Sequence, residues 1–326
     1  MIRWGAVGTG TISKSVIPDL QQHVPDAEVV IVQSRCTDNA TKFAEEYGIT
    51  RSTGDFDQVI SAPDVDIVYI ATPFALHFEM TKRAIEAGKH VLVEKPIAMN
   101  ASETEILFSL AKEKGVFLME AMWMKFTPLF RDFQAKIQDG LIGEVKNIRA
   151  GFGTVMPGPG SHLDLARSGG ALLDRGIYPV TLAHTILGIP DKISATGTVR
   201  SDGLDFSAHF TFEYNDGRFV QAGSSITEFM DLSASVAGTA GWLTLQAPFW
   251  ASSTIEVHAG GIRQIFREPD FAQFPWEGNN YGPMLRCVME ALQNEWLEHP
   301  LHTAADTTAV FQTIDELFRQ IRNASR

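Results

Sequence analysis

The stretch His90-Val91-Leu92-Val93-Glu94-Lys95-Pro96 decides how the rest of the chain is interpreted. Its apolar run has the length of a buried parallel strand, which brings a carboxylate, an ammonium and a proline to its carboxyl end. Open α/β sheets bind their ligands at that end of the strands. Removing an ammonium from water there costs free energy unless an anionic or hydrogen-bonding partner compensates for it. Lys95 is therefore either a catalytic or cofactor-facing lysine, or a lysine at a strand end that stays in solvent.

A glycine-rich turn follows the first strand of the chain. Ile2 to Val7 has the pattern of a buried strand, and a helical pattern continues to about Gln22. Strand, glycine turn and helix form the context of a dinucleotide-binding turn, with the pyrophosphate at the helix N-terminus. A plain strand-to-helix turn is the alternative. The candidate cofactor-binding residues of this turn are Gly8, Gly10, Thr11 and Ile12.

The end of the second strand bears on the choice of cofactor. Glu28 to Gln33 predicts this strand, and Ser34, Arg35 and Cys36 follow it. Enzymes that use NAD commonly place an acid here for the ribose hydroxyls, whereas an arginine can pair with the 2′-phosphate of NADP. The nearest acid, Asp38, comes later. We therefore predict that Ser34 and Arg35 contact NADP in preference to NAD, with a plain surface charge as the alternative.

Strand and helix patterns alternate up to residue 122. The predicted strands are Val65 to Ala71 and Val116 to Met119, and the predicted helices are Asn39 to Tyr47, Leu76 to Ala87, and Ser102 to Gly115. This alternation predicts an α/β Rossmann domain, a doubly wound parallel sheet over residues 1–122. Thr72 and Pro73 follow the strand at Ala71, at the same edge of the sheet as Lys95.

The remaining residues, 123–326, predict an α+β domain on a largely antiparallel, open sheet. Period-two patterns recur at Glu144–Phe152, Ser194–Arg200, Phe206–Tyr214, Arg218–Ser225, Leu232–Val236, Gly241–Leu245 and Ile255–His258. Asn215-Asp216-Gly217 predicts a hairpin. Four helices are predicted: an aromatic-rich helix that ends near Gly140, and three more at Gly170–Leu187, Tyr281–Trp296 and Ala304–Asn323. We allow for the last helix packing on the first domain, and for the open sheet forming a homo-oligomer such as a homodimer.

The composition limits the functional classes. The 326 residues are 44% hydrophobic and 20% charged, as in an ordinary globular protein of about two domains. Lys and Arg number 27 against 39 Asp and Glu, a net charge of −12. This acidic balance argues against nucleic acid or an anionic membrane as a partner. Two distant cysteines indicate neither a disulfide framework nor a zinc site, and we expect a cytoplasmic protein without metal.

A second chemical cluster lies in the helix predicted at Gly170–Leu187. Asp174 and Tyr178 are four residues apart, so they share one helix face. Two structural explanations remain open at this point. Tyr178 can be a buried tyrosine with a satisfied hydroxyl, and Asp174 can be a charge favoured by the helix dipole.

Four motifs in this order resemble the glucose-fructose oxidoreductase/inositol dehydrogenase (Gfo/Idh/MocA) family. They are Gly8-Thr9-Gly10, Ala71-Thr72-Pro73 followed by His77, Glu94-Lys95-Pro96, and Gly169-Gly170-Ala171-Leu172-Leu173-Asp174. The resemblance implies a Rossmann domain followed by an α/β domain that often forms oligomer contacts. It also implies that Lys95 and Asp174 lie beside the nicotinamide and that the Lys95-Pro96 bond is cis. Thr72, Pro73, His77 and Glu94 join the candidate cofactor-binding residues on this basis.

The residue four positions after Asp174 narrows the resemblance. Many sugar and inositol dehydrogenases of the family carry histidine there, whereas this chain carries Tyr178. Together with Glu120-Ala121-Met122-Trp123, this is similar to the branch that contains dimeric dihydrodiol dehydrogenase and NADP-dependent D-xylose 1-dehydrogenase. Arg175 replaces an expected aliphatic residue and Phe74 replaces a common asparagine, which leaves the substrate open.

The chemistry expected of such an enzyme assigns roles to three residues. Oxidation of an alcohol sends hydride to the nicotinamide and the hydroxyl proton to a base. Tyr178 is the candidate base, and a nearby Lys95 cation would lower the phenol pKa from its ordinary value of about 10. Lys95 can also bind the reacting oxygen, and Asp174 can orient the lysine or a second hydroxyl. Tyr178 and Asp174 thus also count as substrate contacts.

Aromatic residues provide candidate substrate contacts and leave the substrate class open. Trp123, Phe126 and Phe152 can form apolar walls, although ordinary core packing is the alternative. We predict an NADP-dependent dehydrogenase of aldoses or cyclic vicinal diols. An inositol, amino-sugar or sugar-phosphate dehydrogenase that uses NAD is the second hypothesis, and a non-catalytic dinucleotide-sensing regulatory protein is the third.

Overall fold

The computed structural model describes residues 1–156, 163–165, 170–260 and 267–324. The chain forms two compact units. The first comprises Met1–Thr127 and Trp276–Thr307, and the second comprises Pro128–Pro275 and Thr308–Arg326. The first unit is therefore discontinuous in sequence. The predicted boundary after residue 122 stays a prediction. No helix in the described ranges is both long and apolar enough to cross a membrane.

The first unit contains a parallel sheet of six strands. They are β1 (Ile2–Val7), β2 (Ala27–Gln33), β3 (Arg51–Thr53), β4 (Ile67–Ile70), β5 (His90–Glu94) and β6 (Leu118–Ala121). The strands lie in the order β3-β2-β1-β4-β5-β6, which is the order of a doubly wound dinucleotide-binding sheet. All four residues of β4 are buried, as a strand covered by helices on both faces requires. The predicted α/β fold class is confirmed.

Apart from the short α3, the helices around this sheet begin and end near the predicted residues. They are α1 (Thr11–His23), α2 (Thr37–Tyr47), α3 (Phe56–Ile60), α4 (His77–Glu86) and α5 (Ala101–Lys114). The α5 helix starts before the predicted cap at Ser102, because the side chain of Asn100 accepts a hydrogen bond of 2.9 Å from the Glu103 N–H. The sequence did not predict β3 and α3, which are too short to show a period.

Residues 276–307 complete the first unit. The buried carboxylate of Asp19 in α1 accepts hydrogen bonds from the backbone N–H groups of Asn279, at 2.9 Å, and Tyr281, at 2.8 Å. Helix α8 (Gly282–Gln293) begins directly after Tyr281. This late segment therefore contributes hydrogen bonds that a fragment ending near residue 127 lacks.

The second unit is built on an eight-stranded sheet. Its strands are β7 (Val145–Gly153), β8 (Lys192–Val199), β9 (Asp205–Glu213), β10 (Phe219–Ser225), β11 (Ala234–Gly238), β12 (Gly241–Leu245), β13 (Thr254–Ala259) and β14 (Asp270–Gln273). Their order is β14-β13-β12-β11-β7-β10-β9-β8, and all neighbours are antiparallel except β7 and β10. The largely antiparallel sheet and the hairpin between β9 and β10 are confirmed, with Gly217 at φ +84° in its turn.

Among the described residues, the helices that involve the second unit are α6 (Pro128–Gln138), α7 (Ile177–Leu187) and α9 (Ala304–Ala324). The segment before α7 differs from the prediction of one regular helix, because Leu172–Gly176 is a π-helical turn. The N–H of Ile177 donates back to the carbonyl of Leu172, five residues earlier. Asp174 lies inside this widened turn. The spacing of Asp174 and Tyr178 therefore does not follow from ordinary α-helix geometry.

Candidate active site

The glycine turn after β1 has the geometry of a dinucleotide-binding turn. Gly8 has φ +106°, and a Cβ atom there would collide with the carbonyl oxygen of Ala71. A Cβ atom on Gly10 would meet open space. The N-cap residue of α1, Gly10, has no side chain to cap the helix, and the described residues supply no side-chain acceptor to the N–H groups of Thr11 and Ile12. Open space before an uncapped helix N-terminus fits the pyrophosphate of a dinucleotide.

Ser34 and Arg35 connect β2 with α2, beside the glycine turn. The Gly8 N–H donates a hydrogen bond of 2.9 Å to the Gln33 carbonyl, which joins the end of β2 to the start of that turn. Arg35 is exposed and Ser34 is partly exposed. An exposed guanidinium at this strand end can reach a 2′-phosphate on a ribose bound along the sheet edge.

The ends of β4 and β5 carry the next candidates. The hydroxyl of Thr72 is buried and has no hydrogen-bond partner within the described residues, as expected of a group that awaits a ligand. The Nζ atom of Lys95 lies 5.5 Å from the ring centroid of Phe74, a cation–π distance. The Lys95-Pro96 peptide bond is cis, as the resemblance implied. Phe74 thus contacts the candidate catalytic lysine.

His77 joins these two strand ends from inside the protein. Its ring is fully buried, with Nδ1 lying 2.7 Å from the Pro96 carbonyl oxygen and Nε2 lying 2.8 Å from the Thr72 carbonyl oxygen. Burial lowers the pKa of His77. A neutral imidazole donates one hydrogen bond, so it satisfies one of the two carbonyls at a time. The ring supports the backbone of both strand ends, and its role at the cofactor stays a prediction.

Buried acids support the segment that carries Lys95. The Tyr69 hydroxyl donates a hydrogen bond of 2.8 Å to Glu94, and burial raises the pKa of Glu94 to about 7. Glu120 accepts a hydrogen bond of 3.0 Å from the N–H of Ile97 and lies 3.1 Å from Nε2 of His302. Tyr69 therefore anchors the side chain of Glu94 before Lys95, and Glu120 holds the backbone of Ile97 after it.

Trp123 and Phe126 lie in the interior of the first unit. Trp123 is 7% exposed, and its ring centroid lies 5.1 Å from that of Tyr281. Phe126 is 1% exposed, and its ring lies 5.6 Å from that of His299. These contacts agree with the alternative of core packing, and substrate contact by either residue stays a prediction.

The candidates of the second unit form an aromatic cluster. Tyr178 is buried near the start of α7, and its ring centroid lies 5.8 Å from that of Phe152. Phe152 stacks on Trp250, with centroids 3.5 Å apart and planes inclined by 9°. The ring centroids of Trp250 and Tyr178 lie 5.9 Å apart. The structure therefore brings Phe152 and Tyr178 together and adds Trp250, which has no periodic pattern in the sequence to indicate it.

Asp174 and its neighbour Arg175 lie at the edge of this cluster. The Nε atom of Arg175 is 3.6 Å from a carboxylate oxygen of Asp174. The turn that holds them starts at Leu172, whose N–H donates a hydrogen bond of 2.7 Å to the buried Asp205. Burial raises the pKa of Asp205 to about 7. The motif residue Gly169 lies outside the described residues.

One group of potential metal ligands occurs in the described part of the chain. Ligand atoms of Cys287, Glu290 and His299 lie within 4.8 Å of one another. The N–H of Leu301 donates to Nδ1 of His299 at 3.1 Å, so the proton of a neutral ring lies on Nε2, 3.7 Å from Glu290. A protonated Nε2 does not bind a metal. We interpret this group as a polar cluster of the first unit.

Comparison with known proteins identifies two matching family profiles. The profile of the GFO/IDH/MocA oxidoreductase family, NAD-binding Rossmann fold, matches residues 2–122, and that of the GFO/IDH/MocA C-terminal domain matches residues 130–244. Trans-1,2-dihydrobenzene-1,2-diol dehydrogenase from Macaca fuscata fuscata is 33% identical, over 98% of this chain and 97% of that protein. The enzyme of the same name from Xenopus tropicalis is 28% identical, over 98% of both chains.

A solved structure confirms the similarity over the whole chain. A 3-ketoreductase from Actinomadura kijaniata, crystallised with NADP and TDP-benzene, superimposes with a TM-score of 0.86 at 26% sequence identity. The match covers 99% of this chain and 97% of that enzyme. Both the sequence profiles and this structure thus span the two units.

Proposed function

The chain belongs to the GFO/IDH/MocA oxidoreductase family, and we propose that it transfers a hydride between NADP and a CH–OH group of an aldose sugar or a cyclic vicinal diol. The proposal rests on one observation above all. The open, uncapped glycine turn after β1 and the ammonium of Lys95 after β5 lie at the same edge of one parallel sheet. This arrangement places a dinucleotide site and a catalytic cation on neighbouring strand ends.

The residues that would hold the cofactor follow the sheet edge. Gly8, Gly10 and the N-terminus of α1 would bind the pyrophosphate. The unpartnered hydroxyl of Thr72 is available to the bound cofactor, beside Pro73. Arg35 would pair with the 2′-phosphate, which favours NADP over NAD. When bound, the nicotinamide accepts or supplies the hydride.

Three side chains of this protein would handle the substrate. In the oxidative direction the phenolate form of Tyr178 would accept the hydroxyl proton while the C–H bond gives up its hydride to the cofactor, and the alcohol would become a carbonyl. Lys95 hydrogen-bonds the reacting oxygen and stabilises the charge that develops on it. Asp174 accepts a hydrogen bond from a neighbouring hydroxyl, which both sugars and vicinal diols provide. The proposal requires Lys95 and Tyr178 to act on one substrate molecule.

The aromatic cluster supports a ring-shaped substrate. Phe152 and Trp250 present stacked apolar rings beside Tyr178. Apolar faces of this kind suit the unsaturated ring of a cyclic diol or the C–H face of a sugar. The relative from Macaca fuscata fuscata is named for a diol on a six-membered carbon ring, which agrees with the first of these.

We further propose a cytoplasmic homodimer formed through the second sheet. Cys36 and Cys287 are both free thiols, as in a reducing compartment. On the exposed face of the sheet, cross-strand neighbours line a concave surface, namely Ser194, Thr196, His209, Thr211 and Gln221. Light scattering of the purified protein tests the dimer, and the mass of a single chain at micromolar concentration would exclude it.

A substrate panel tests the activity. The purified protein is mixed with NADP or NAD and with pentoses, hexoses, amino sugars, sugar phosphates, inositol, and unsaturated and saturated cyclic vicinal diols, and absorbance is followed at the reduced-nicotinamide band. We expect reduction of NADP with a sugar or a cyclic diol. Faster reduction of NAD with inositol or amino sugars would favour the second hypothesis. Tight NADP binding without turnover of any substrate would favour a regulatory protein.

A further inference from the structure

Arg175 is a buried cation at a position where the resemblance predicts an aliphatic side chain. It lies in the π-helical turn Leu172–Gly176 and is 3% exposed. Burying a guanidinium is unfavourable unless its N–H groups find acceptors and its charge finds a partner. The contacts of Arg175 therefore identify what the chain gains from this substitution.

The first set of contacts joins two strand ends. Nη1 of Arg175 donates a hydrogen bond of 2.5 Å to the carbonyl of Thr154 and another to the carbonyl of Ser225. Ser225 is the last residue of β10, and its register partner in the parallel strand β7 is Gly153, directly before Thr154. The guanidinium thus binds the two carbonyls at the point where β7 and β10, the one parallel pair among the described strands of this sheet, end.

The second set of contacts involves two candidate site residues. Nε of Arg175 lies 3.6 Å from a carboxylate oxygen of Asp174, and Cζ lies 5.3 Å from the ring centroid of Phe152. A planar guanidinium stacks on an aromatic face while its edge bonds carbonyl oxygens. Arg175 therefore contacts both Asp174 and Phe152, the first a candidate hydrogen-bond acceptor for the substrate and the second a candidate apolar wall of its site.

Phe152 transmits the position of Arg175 to the rest of the cluster. It stacks on Trp250 at 3.5 Å and lies 5.8 Å from Tyr178. A shift of Phe152 would therefore displace the indole with which it stacks and change the distance between the apolar wall and the phenol.

We propose that Arg175 is a positioning residue that fixes Asp174 and the stacked rings of Phe152 and Trp250, and so sets the affinity and specificity for the substrate. This inference rests on the proposed function for its kinetic consequence. Its structural part, the anchoring of the stacked pair, can be measured without turnover. An aliphatic residue at this position would leave Thr154 without its hydrogen bond from the guanidinium and Phe152 without its cation.

The experiment compares two arginines with the same local chemistry. Arg200 pairs with Asp202 at 2.6 Å and lies 5.7 Å from the ring of Phe206, but its side chain is 35% exposed. Arg175→Met and Arg200→Met are measured for kcat and KM with the best substrate of each class, for NADP affinity by fluorescence, and for near-ultraviolet circular dichroism. Arg175→Met should raise KM for the substrate roughly tenfold, lower kcat less, and leave NADP affinity unchanged. Arg200→Met should behave as wild type.

The spectroscopic readout separates this inference from the proposed function. Arg175→Met should change the near-ultraviolet band of the stacked pair, because that band depends on ring geometry, and Arg200→Met should not. If no substrate of the panel reacts with the wild-type protein, the proposed function fails. The circular dichroism spectrum then tests by itself whether Arg175 anchors the stacked pair of Phe152 and Trp250. A lower melting temperature with unchanged KM, unchanged kcat and an unchanged spectrum would show a merely structural cation and overturn the inference.

Two further variants cover a failure of Arg175→Met to fold. Arg175→Lys keeps the charge and at least one hydrogen bond but loses the planar fork, so it should restore part of the KM and part of the spectrum. The double variant Arg175→Met/Phe152→Leu should raise KM by less than the product of the two single changes, since both act on the ring of Phe152. Independent, multiplying effects of the two substitutions would contradict the inference.

Discussion

In the first unit, the candidate residues follow the ends of neighbouring parallel strands, whereas in the second unit they come from distant segments that meet around one aromatic cluster. Gly8 and Lys95 directly follow β1 and β5, and Thr72 is the second residue after β4. Phe152, Tyr178 and Trp250 belong to a strand, a helix and a 3₁₀ turn. The first arrangement depends on local order along the chain, and the second depends on packing.

This difference has a chemical counterpart. The first unit offers backbone N–H groups, a hydroxyl and cations, which suit a charged cofactor. The second unit offers apolar rings, a phenol and a carboxylate, which suit a neutral polyol with an apolar face. Substitutions in the first unit should thus change the affinity for the cofactor and the stabilisation of charge on the reacting oxygen. Substitutions in the second unit should change the rate of proton transfer and the affinity for the substrate.

The largest expected effect is that of Lys95→Met. Loss of the cation should lower kcat by about 10³-fold, within the range of a lost acid–base or electrostatic group. NADP affinity and the melting temperature should change little, because methionine keeps the length of the side chain. Stopped-flow or steady-state turnover, fluorescence titration and calorimetry measure the three quantities. Lys82→Met on α4 is the control, and full activity of the Lys95 variant would refute the mechanism.

Tyr178→Phe should lower kcat by about 10²-fold and leave NADP affinity unchanged, because only the proton-accepting oxygen is removed. The matched control is Tyr214→Phe in the same unit, which loses a hydrogen bond of 3.0 Å to the Gly188 carbonyl. That control should cost about 1 kcal/mol of stability without affecting kcat. Equal turnover in the two variants would remove the proton-transfer role from Tyr178.

Arg35→Ser tests the cofactor preference of the first unit. Loss of a charge-assisted hydrogen bond to phosphate, about 1.5–3 kcal/mol, should reduce the preference for NADP over NAD by roughly tenfold or more. The ratio of kcat/KM values for the two cofactors measures it. Arg51→Ser, which breaks an exposed ion pair with Asp64, is the control. An unchanged ratio would mean that Arg35 does not contact the 2′-phosphate.

Trp250→Leu tests the apolar wall of the second unit. Loss of one stacked aromatic face, about 0.5–1.5 kcal/mol, should raise KM for a cyclic diol by about fivefold and change NADP affinity little. Trp296→Leu replaces an indole that is 37% exposed in the other unit and serves as the control. Identical KM values for the two variants would exclude Trp250 from the substrate site.

The smallest expected effect compares one buried carboxyl in each unit. Burial raises the pKa of both Glu94 and Asp205 to about 7, above their ordinary values of 4.5 and 3.8. The folded state then binds more protons than the unfolded state between about pH 4 and 7, so stability falls as the pH rises through this window. Glu94→Gln and Asp205→Asn should each lessen the fall in melting temperature between pH 5 and 8, by a few degrees. Unchanged profiles would show that the carboxyls titrate normally.

The contrast between the units also explains how much the sequence could predict. The strand ends at Lys95 and Thr72 were predictable because parallel strands with alternating helices place successive carboxyl ends along one edge. The π-helical turn was not, since one extra residue per turn leaves no mark on a short apolar pattern. Trp250 follows no period, and its contact with Phe152 joins positions nearly a hundred residues apart, which only packing determines.

Arg175 shows the same limit from another side. Its unusual identity was visible in the sequence, but its role depends on carbonyls at Thr154 and Ser225 whose pairing is a property of the folded sheet. Likewise, His77 was predicted to act at the cofactor, and only the structure shows its ring against two backbone carbonyls. The residue type indicates which interactions a side chain can make, and the fold determines which partners it makes them with.

The interrupted sequence of the first unit has a consequence for protein synthesis. A ribosome releases the six strands of the parallel sheet well before it reaches Asn279, Tyr281 and His302. Until then, the carboxylate of Asp19 lacks its hydrogen bonds from Asn279 and Tyr281, and Glu120 keeps its bond from Ile97 but lacks the contact with His302. The nascent nucleotide-binding unit should therefore remain incomplete until most of the polypeptide has been translated, and an excised version will need residues 276–307 fused to residues 1–127.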